Sequence, residues 1–146
     1  MEEGSVRILV VEDEADISMV FRVALSRRDH KLVEATSGEE ALEKIRSQQL
    51  DLVVLDVMLP GMSGLDVLSQ VRADEATKDL AVVCVSARAT PADQAQGLDA
   101  GADAYITKPF APAELAELLE VVAAESPEQR ARRRARARKT LGQAGT

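Results

Sequence analysis

Five short, continuous apolar runs recur along the chain, each followed by a stretch whose apolar residues are spaced for a helix. This alternation is the feature that most restricts the fold. Val6-Arg7-Ile8-Leu9-Val10-Val11 reads as a first strand, and Ile17, Val20, Phe21, Ala24 and Leu25 then recur at helical spacing. Lys31-Leu32-Val33-Glu34 is a second strand, followed by a helix that Ser37-Gly38-Glu39-Glu40 opens and that carries Ala41, Leu42 and Ile45. Leu52-Val53-Val54-Leu55 is the most apolar run and ends at Asp56, and Leu65, Leu68 and Val71 mark a third helix entered through Gly61 and Gly64. Leu80-Ala81-Val82-Val83-Cys84-Val85 is a fourth strand, and Thr90-Pro91-Ala92-Asp93 has the cap, first-turn proline and first-turn acid of a helix start. Ala104-Tyr105-Ile106 is a fifth strand, and Pro112 opens a helix carrying Leu115, Leu118, Leu119 and Val122.

Strands that are apolar throughout, rather than at every second position, are buried on both faces. Alternated with helices, they imply an α/β fold in which a five-stranded parallel sheet is covered by helices on both faces. Other classes drop out on the same evidence. Charges interrupt every apolar run well before the ~20 residues needed to cross a bilayer. Met1-Glu2-Glu3 lacks the basic opening of a secretory signal. The single cysteine, Cys84, forms no internal disulfide, no Cys/His cluster has zinc spacing, and a cytoplasmic location follows as the expectation. Cys84 is expected as a buried strand residue, and His30 as a residue at the sheet end opposite the functional site.

In doubly wound sheets, ligands bind beyond the carboxyl ends of the strands, where strand order reverses. The first strand ends in Glu12-Asp13, the third in Asp56, the fourth in Ser86, and the fifth runs into Thr107-Lys108-Pro109. If strands one and three are neighbours, three carboxylates converge, and their repulsion calls for a cation. Oxygen donors without His or Cys point to Mg²⁺. Lys108 and the Ser86 hydroxyl facing the same place would complete a site suited to a phosphoryl group. A dinucleotide fold needs a glycine-rich turn where this chain has Glu12-Asp13-Glu14-Ala15. A dehalogenase-type phosphatase needs a second acid two positions after the aspartate, where this chain has Met58.

The acidic pair in Val11-Glu12-Asp13-Glu14, the stretch from Asp56 to Gly64, Ser86-Ala87 and Lys108-Pro109-Phe110 together resemble the receiver domains of two-component response regulators. The resemblance covers residues 6 to about 124. It implies a flavodoxin-like sheet in the order 2-1-3-4-5. It departs from the family's commonest pattern in having Glu12 where Asp is frequent and Ser86 where Thr is frequent. It also implies roles for individual residues. Asp56 would accept a phosphoryl group from a sensor histidine kinase or phosphotransfer protein. Asp13, Asp56 and the backbone carbonyl of Met58 would bind Mg²⁺, with Glu12 assisting. Lys108 would neutralise charge during transfer, and Ser86 and Tyr105 would form a two-state switch. The Lys108–Pro109 bond would be cis. Such a chain is not a dedicated enzyme, although it catalyses its own phosphorylation and dephosphorylation at Asp56. Output would pass through the face made by the fourth helix, fifth strand and fifth helix, to a downstream protein or to a second copy in a homodimer.

Charge divides the chain unequally. Residues 127–146 carry seven basic groups against one acid, whereas the rest is strongly acidic and unsuited to gripping nucleic acid. The expected organisation is a receiver domain over 1–125 and a basic Ala/Arg-rich extension over 126–146, helical or partly disordered. Ser126-Pro127-Glu128-Gln129 has the form of a capping box, and the helix is predicted to run to Leu141 and stop at Gly142. Without a large apolar stripe it is expected to be solvent-exposed or frayed. It could be a linker, a docking arm for an acidic partner or a nucleic-acid arm, the last disfavoured by the absence of interleaved aromatic residues. The second reading of the whole chain is thus an adaptor that works mainly through this tail, with phosphorylation secondary.

Overall fold

The computed structural model describes residues 5–88 and 90–144. The acidic opening Met1-Glu2-Glu3 lies outside the described residues. The chain forms β1 (Arg7–Val11), α1 (Ala15–Ser26), β2 (Lys31–Ala35), α2 (Gly38–Ser47), β3 (Leu52–Asp56), α3 (Gly64–Ala73), β4 (Ala81–Ser86), α4 (Pro91–Asp99), β5 (Ala104–Thr107), α5 (Pro112–Ala124) and α6 (Pro127–Ala144).

Helix starts follow local chemistry. Ser37, Ser63 and Thr90 each accept a hydrogen bond from the backbone N–H three residues on, which satisfies a donor the helix leaves free. At α3 the box is reciprocal, because Asp66 also accepts from the Ser63 N–H.

The sheet is parallel throughout, in the order β2-β1-β3-β4-β5. Successive strand residues supply two cores. Leu9, Val11, Val53, Leu55, Val82 and Cys84 pack with Ala41, Leu42 and Ile45 of α2 and Val67, Leu68 and Val71 of α3. Ile8, Val10, Leu52, Val54, Val83 and Val85 pack on the other side with Phe21 and Leu25 of α1 and Leu115, Leu119 and Val122 of α5. Both sides of β1, β3 and β4 are therefore dry, which is why these strands read as unbroken apolar runs. Burial pushes the Cys84 thiol up to about 12, so it behaves as a small core hydrophobe.

α6 departs from the sequence expectation twice. It passes through Gly142 to Ala144, because glycine tolerates helical backbone at a cost of about 1 kcal/mol and stops a helix only where the chain turns left-handed. It is also not a free helix. It packs along α4, and Arg130 is only 6% exposed. The expected capping box is present: Ser126 Oγ accepts from the Gln129 N–H at 3.2 Å, and Gln129 Oε1 accepts from the Ser126 N–H at 2.8 Å.

Candidate functional site

Register builds the site. β1 and β3 are neighbours, with Val11 beside Leu55, so the residues after both strands emerge together at the carboxyl edge of the sheet. Glu12 and Asp56 are buried there and Asp13 is exposed. One carboxylate oxygen from each lies within 4.8 Å of the others. The Asp56 loop is held by backbone contacts: Met58 N–H donates to Asp56 Oδ1 at 2.9 Å, and Val57 N–H donates to the Val85 carbonyl at 3.0 Å. Gly64 is needed directly behind it. A Cβ at that position would meet the Asp56 carbonyl oxygen at 2.2 Å and Val57 Cα at 2.8 Å, so only glycine lets α3 start this close to the aspartate.

Lys108 reaches these acids from β5. Its ammonium donates to Glu12 Oε1 at 2.8 Å and to Asp56 Oδ2 at 3.1 Å. The Lys108–Pro109 bond is cis. Burial pushes the Glu12 carboxyl up to about 7, against the opposing bonds from Lys108 and from the Glu14 N–H. Burial also works against the Lys108 ammonium, but its bonds to Glu12 and Asp56 outweigh that and hold it above the usual lysine range. The cluster is thus an acidic trap already holding one positive charge.

Ser86 and Tyr105 sit beside this cluster and are tied elsewhere. Ser86 is fully buried at the end of β4, and its hydroxyl accepts from the Arg88 N–H at 3.1 Å. Tyr105 Oη donates to the Arg88 carbonyl at 2.8 Å. Burial holds the Tyr105 phenol above its ordinary range, with the Ser86 hydroxyl pulling the other way. Both switch candidates therefore converge on Arg88, not on the carboxylates. Between Tyr105 and the residues after Asp56 is a cavity of about 270 Å³, lined in part by Met58, Leu65, Arg88 and Tyr105. The Met58 side chain is 50% exposed at its edge.

The donor set fits a small hard cation. Three carboxylates supply oxygen alone, and a Mg²⁺ site of one or two carboxylates plus water needs no more. His30 lies at the opposite end of the sheet. Its Nδ1 accepts from the Val6 N–H at 3.1 Å and its Nε2 is 2.6 Å from Glu120.

Sequence reasoning missed one buried polar centre outside this site. Asp103, fully buried just before β5, faces Arg72, Arg130 and Arg134, and also accepts from the Val82 N–H at 2.9 Å. The available signal was an acid in the apolar context Gly101-Ala102-Asp103-Ala104, which asks for a cationic partner.

The sheet order, the acidic corner and the lysine opposite it define a class of protein, and comparison with known proteins agrees. Residues 8–120 match the response regulator receiver domain, and the chain belongs to that family. It is 40% identical over 115 residues to the phosphate regulon transcriptional regulatory protein PhoB of Pseudomonas aeruginosa, covering 79% of this chain and 50% of that protein. It is 39% identical over 114 residues to the transcriptional regulatory protein ResD of Bacillus subtilis, covering 78% and 46%. The chain spans about half the length of the curated relatives it matches. Among solved structures, the CheY-like receiver domain protein of Methanospirillum hungatei superposes with a TM-score of 0.77 at 29% identity, covering 86% of this chain and 98% of that one. The chemotaxis response regulator CheY4 of Vibrio cholerae gives 0.76 at 26% identity, covering 81% and 98%. α6 begins after the family match ends.

Proposed function

We propose that this chain accepts a phosphoryl group on Asp56 from a phosphohistidine of a sensor kinase or phosphotransfer protein, and signals by changing its protein contacts. The observation that carries this reading is Lys108, whose one ammonium bonds both Glu12 and Asp56 within a cluster of three acids.

In the proposed step an Asp56 carboxylate oxygen attacks phosphorus, a P–O bond forms, the P–N bond to the donor imidazole breaks, and the imidazole leaves with the electron pair. Glu12, Asp13, Asp56 and the Met58 carbonyl would hold Mg²⁺, which when bound supplies positive charge against the phosphoryl oxygens. Lys108 is already within hydrogen-bond reach of Asp56 Oδ2 and would follow the charge as it moves onto the phosphoryl group. Catalysis is then mainly positioning and electrostatics, with little covalent work for the protein. Attack of water on phosphorus releases phosphate and restores the carboxylate, so any turnover is the chain's own reset and not a dedicated enzyme activity. Ser86 would shift toward the phosphoryl group, giving up the Arg88 N–H, and Tyr105 would respond through the same residue.

We place the receiver domain at residues 1–125 with a basic extension over 126–146. Its output contacts are proposed on the face of α4, β5 and α5, toward a downstream protein or a second copy. No helix among the described residues is long and apolar enough to cross a membrane, and one cysteine held as a buried thiol suits a reducing cytoplasm.

The test is intact mass after incubation with acetyl phosphate and Mg²⁺. A gain of one phosphoryl group is expected in the native chain and none in Asp56→Asn. A folded native chain of unchanged mass overturns the reading.

A further inference from the structure

The basic tail and the acidic body meet along one seam. Two residues separate α5 from α6, which lies along α4, with Ala104 and Tyr105 of the edge strand β5 lining a cavity beside it. Part of the seam is apolar: Ala137 and Leu141 of α6 line a cavity with Leu98, Ala104 and Tyr105. The anchors are guanidinium groups. Arg130 donates to the carbonyls of Glu125 and Asp79, and its Nε lies 3.4 Å from Asp103. Arg134 pairs with the other Asp103 oxygen, and Arg133 makes two bonds to Glu125 at 2.8 and 2.9 Å. Near its far end Arg138 bonds Asp99 at 2.9 Å, where both side chains are exposed.

The grip therefore loosens along the helix, from the buried Asp103 cluster to the exposed Asp99 pair. The loose half is the half beside Tyr105. That ring also presses on α4, since a Cβ on Gly97 would come within 2.7 Å of it. Through its hydroxyl, Tyr105 holds the Arg88 carbonyl, and the Arg88 N–H holds Ser86. Lys108, whose ammonium bonds Asp56, donates its backbone N–H to the Ser86 carbonyl at 2.9 Å, so a series of contacts joins the Asp56 corner to the seam under α6.

We propose that α6 is a resident cover on the α4–β5 face, anchored at Arg130, whose far half lifts when the Asp56 pocket is filled. Docked α6 holds Leu98, Ala104 and Tyr105 away from other proteins; lifting exposes them. Because coupling is reciprocal, loosening α6 strengthens occupancy of the pocket. The coupling rests on the phosphoacceptor reading, but the cover does not.

The experiment is amide hydrogen exchange on the full chain, following residues 134–142. Arg138→Glu sets two acids against each other at Asp99 and is expected to speed exchange there about fivefold, with β1–β4 unchanged. Adding Asp99→Arg to it restores the pair and the slow rate. Equal exchange in all three proteins overturns the cover. Beryllium fluoride with Mg²⁺, its binding followed by fluorine NMR, is expected to speed the same amides in the native chain and to bind Arg138→Glu more tightly. Bound fluoride with unchanged α6 exchange overturns the coupling alone. No bound fluoride overturns the phosphoacceptor reading and with it the coupling, while the Arg138 comparison still decides the cover. A native dimer that Arg138→Glu converts to monomer places the helix on a second copy and overturns the cover in cis.

Discussion

Lys108 balances charge in two settings. Without a cation its ammonium bridges Glu12 and Asp56, two acids that would otherwise repel within a buried corner. During transfer it would have to follow the new charge onto phosphorus. Lys108→Ala should therefore bind Mg²⁺ at least as tightly, since a competing cation is gone, yet slow phosphorylation by acetyl phosphate about 100-fold. Calorimetry for the metal and mass spectrometry for the rate separate the two effects, and phosphorylation at the native rate would remove Lys108 from the chemistry. The acids were legible because each ends an apolar run, where a charge has no packing role. The Glu12–Lys108 contact was not legible in the same way. It joins residues 96 apart in the chain and became expected only once strands one and three were taken as neighbours and the end of strand five as facing the same place. Ser86 and Tyr105 were singled out by position, but their common hold on Arg88 depends on loop geometry that no spacing encodes.

Elements were easiest to read where burial is two-sided. β3 and β4, buried at every position, stood out as apolar runs, while β2, half exposed, gave only a short signal that stopped one residue early. Boundaries at α3 depend on backbone contact. Gly64→Ala would force a methyl into the Asp56 carbonyl, with backbone and not a flexible side chain in the way. It should cost about 2 kcal/mol in urea unfolding and slow phosphorylation by displacing the loop; a cost within experimental error would show that the helix start can move freely. Another tie binds α5 to the turn between α1 and β2. Glu120 accepts two bonds from Arg28, at 2.7 and 3.0 Å, and contacts His30, and the Arg28 bonds above all hold its carboxyl down at about 2. A depressed carboxylate stabilises the fold above its unfolded value near 4.5, and that contribution is lost as pH falls toward 2. The groups are about one-third exposed, so solvent screening limits the tie to about 1 kcal/mol. Glu120→Gln should thus lose about that much stability at pH 7, and the gap to the native protein should narrow steadily below pH 5. A gap independent of pH would mean that packing, not charge, makes the tie.

Across the whole molecule, the decisive polar centre is Asp103. Sequence reasoning took the arginines of the tail as a solvated face, because a charge run usually is one. Its partners are scattered: Arg72 on α3, Arg130 and Arg134 on α6, and the Val82 N–H on β4 all converge on a carboxylate with no exposed surface. Charge pattern along the chain cannot show this, since the pairing spans two helices and a strand. Burial pulls the Arg72 guanidinium below its usual range even with Asp103 beside it, which marks how dry the cluster is. Removing the acid would leave three cations facing one another with part of their hydrogen bonding lost. Uncompensated buried charge costs about 3 kcal/mol or more, so Asp103→Ala should lower the melting temperature by about 10 °C and release α6 from α4 together. Asp99→Ala removes an exposed acid and should stay within about 0.5 kcal/mol of the native protein. Salt adds a second criterion. At about 1 M the Debye length is near 3 Å, which weakens the Asp99–Arg138 pair but leaves the buried Asp103 cluster largely unscreened. Thermal unfolding of both variants at low and high salt would separate these contributions. If Asp103→Ala melts with the native protein at both, the helix is held by something other than this carboxylate.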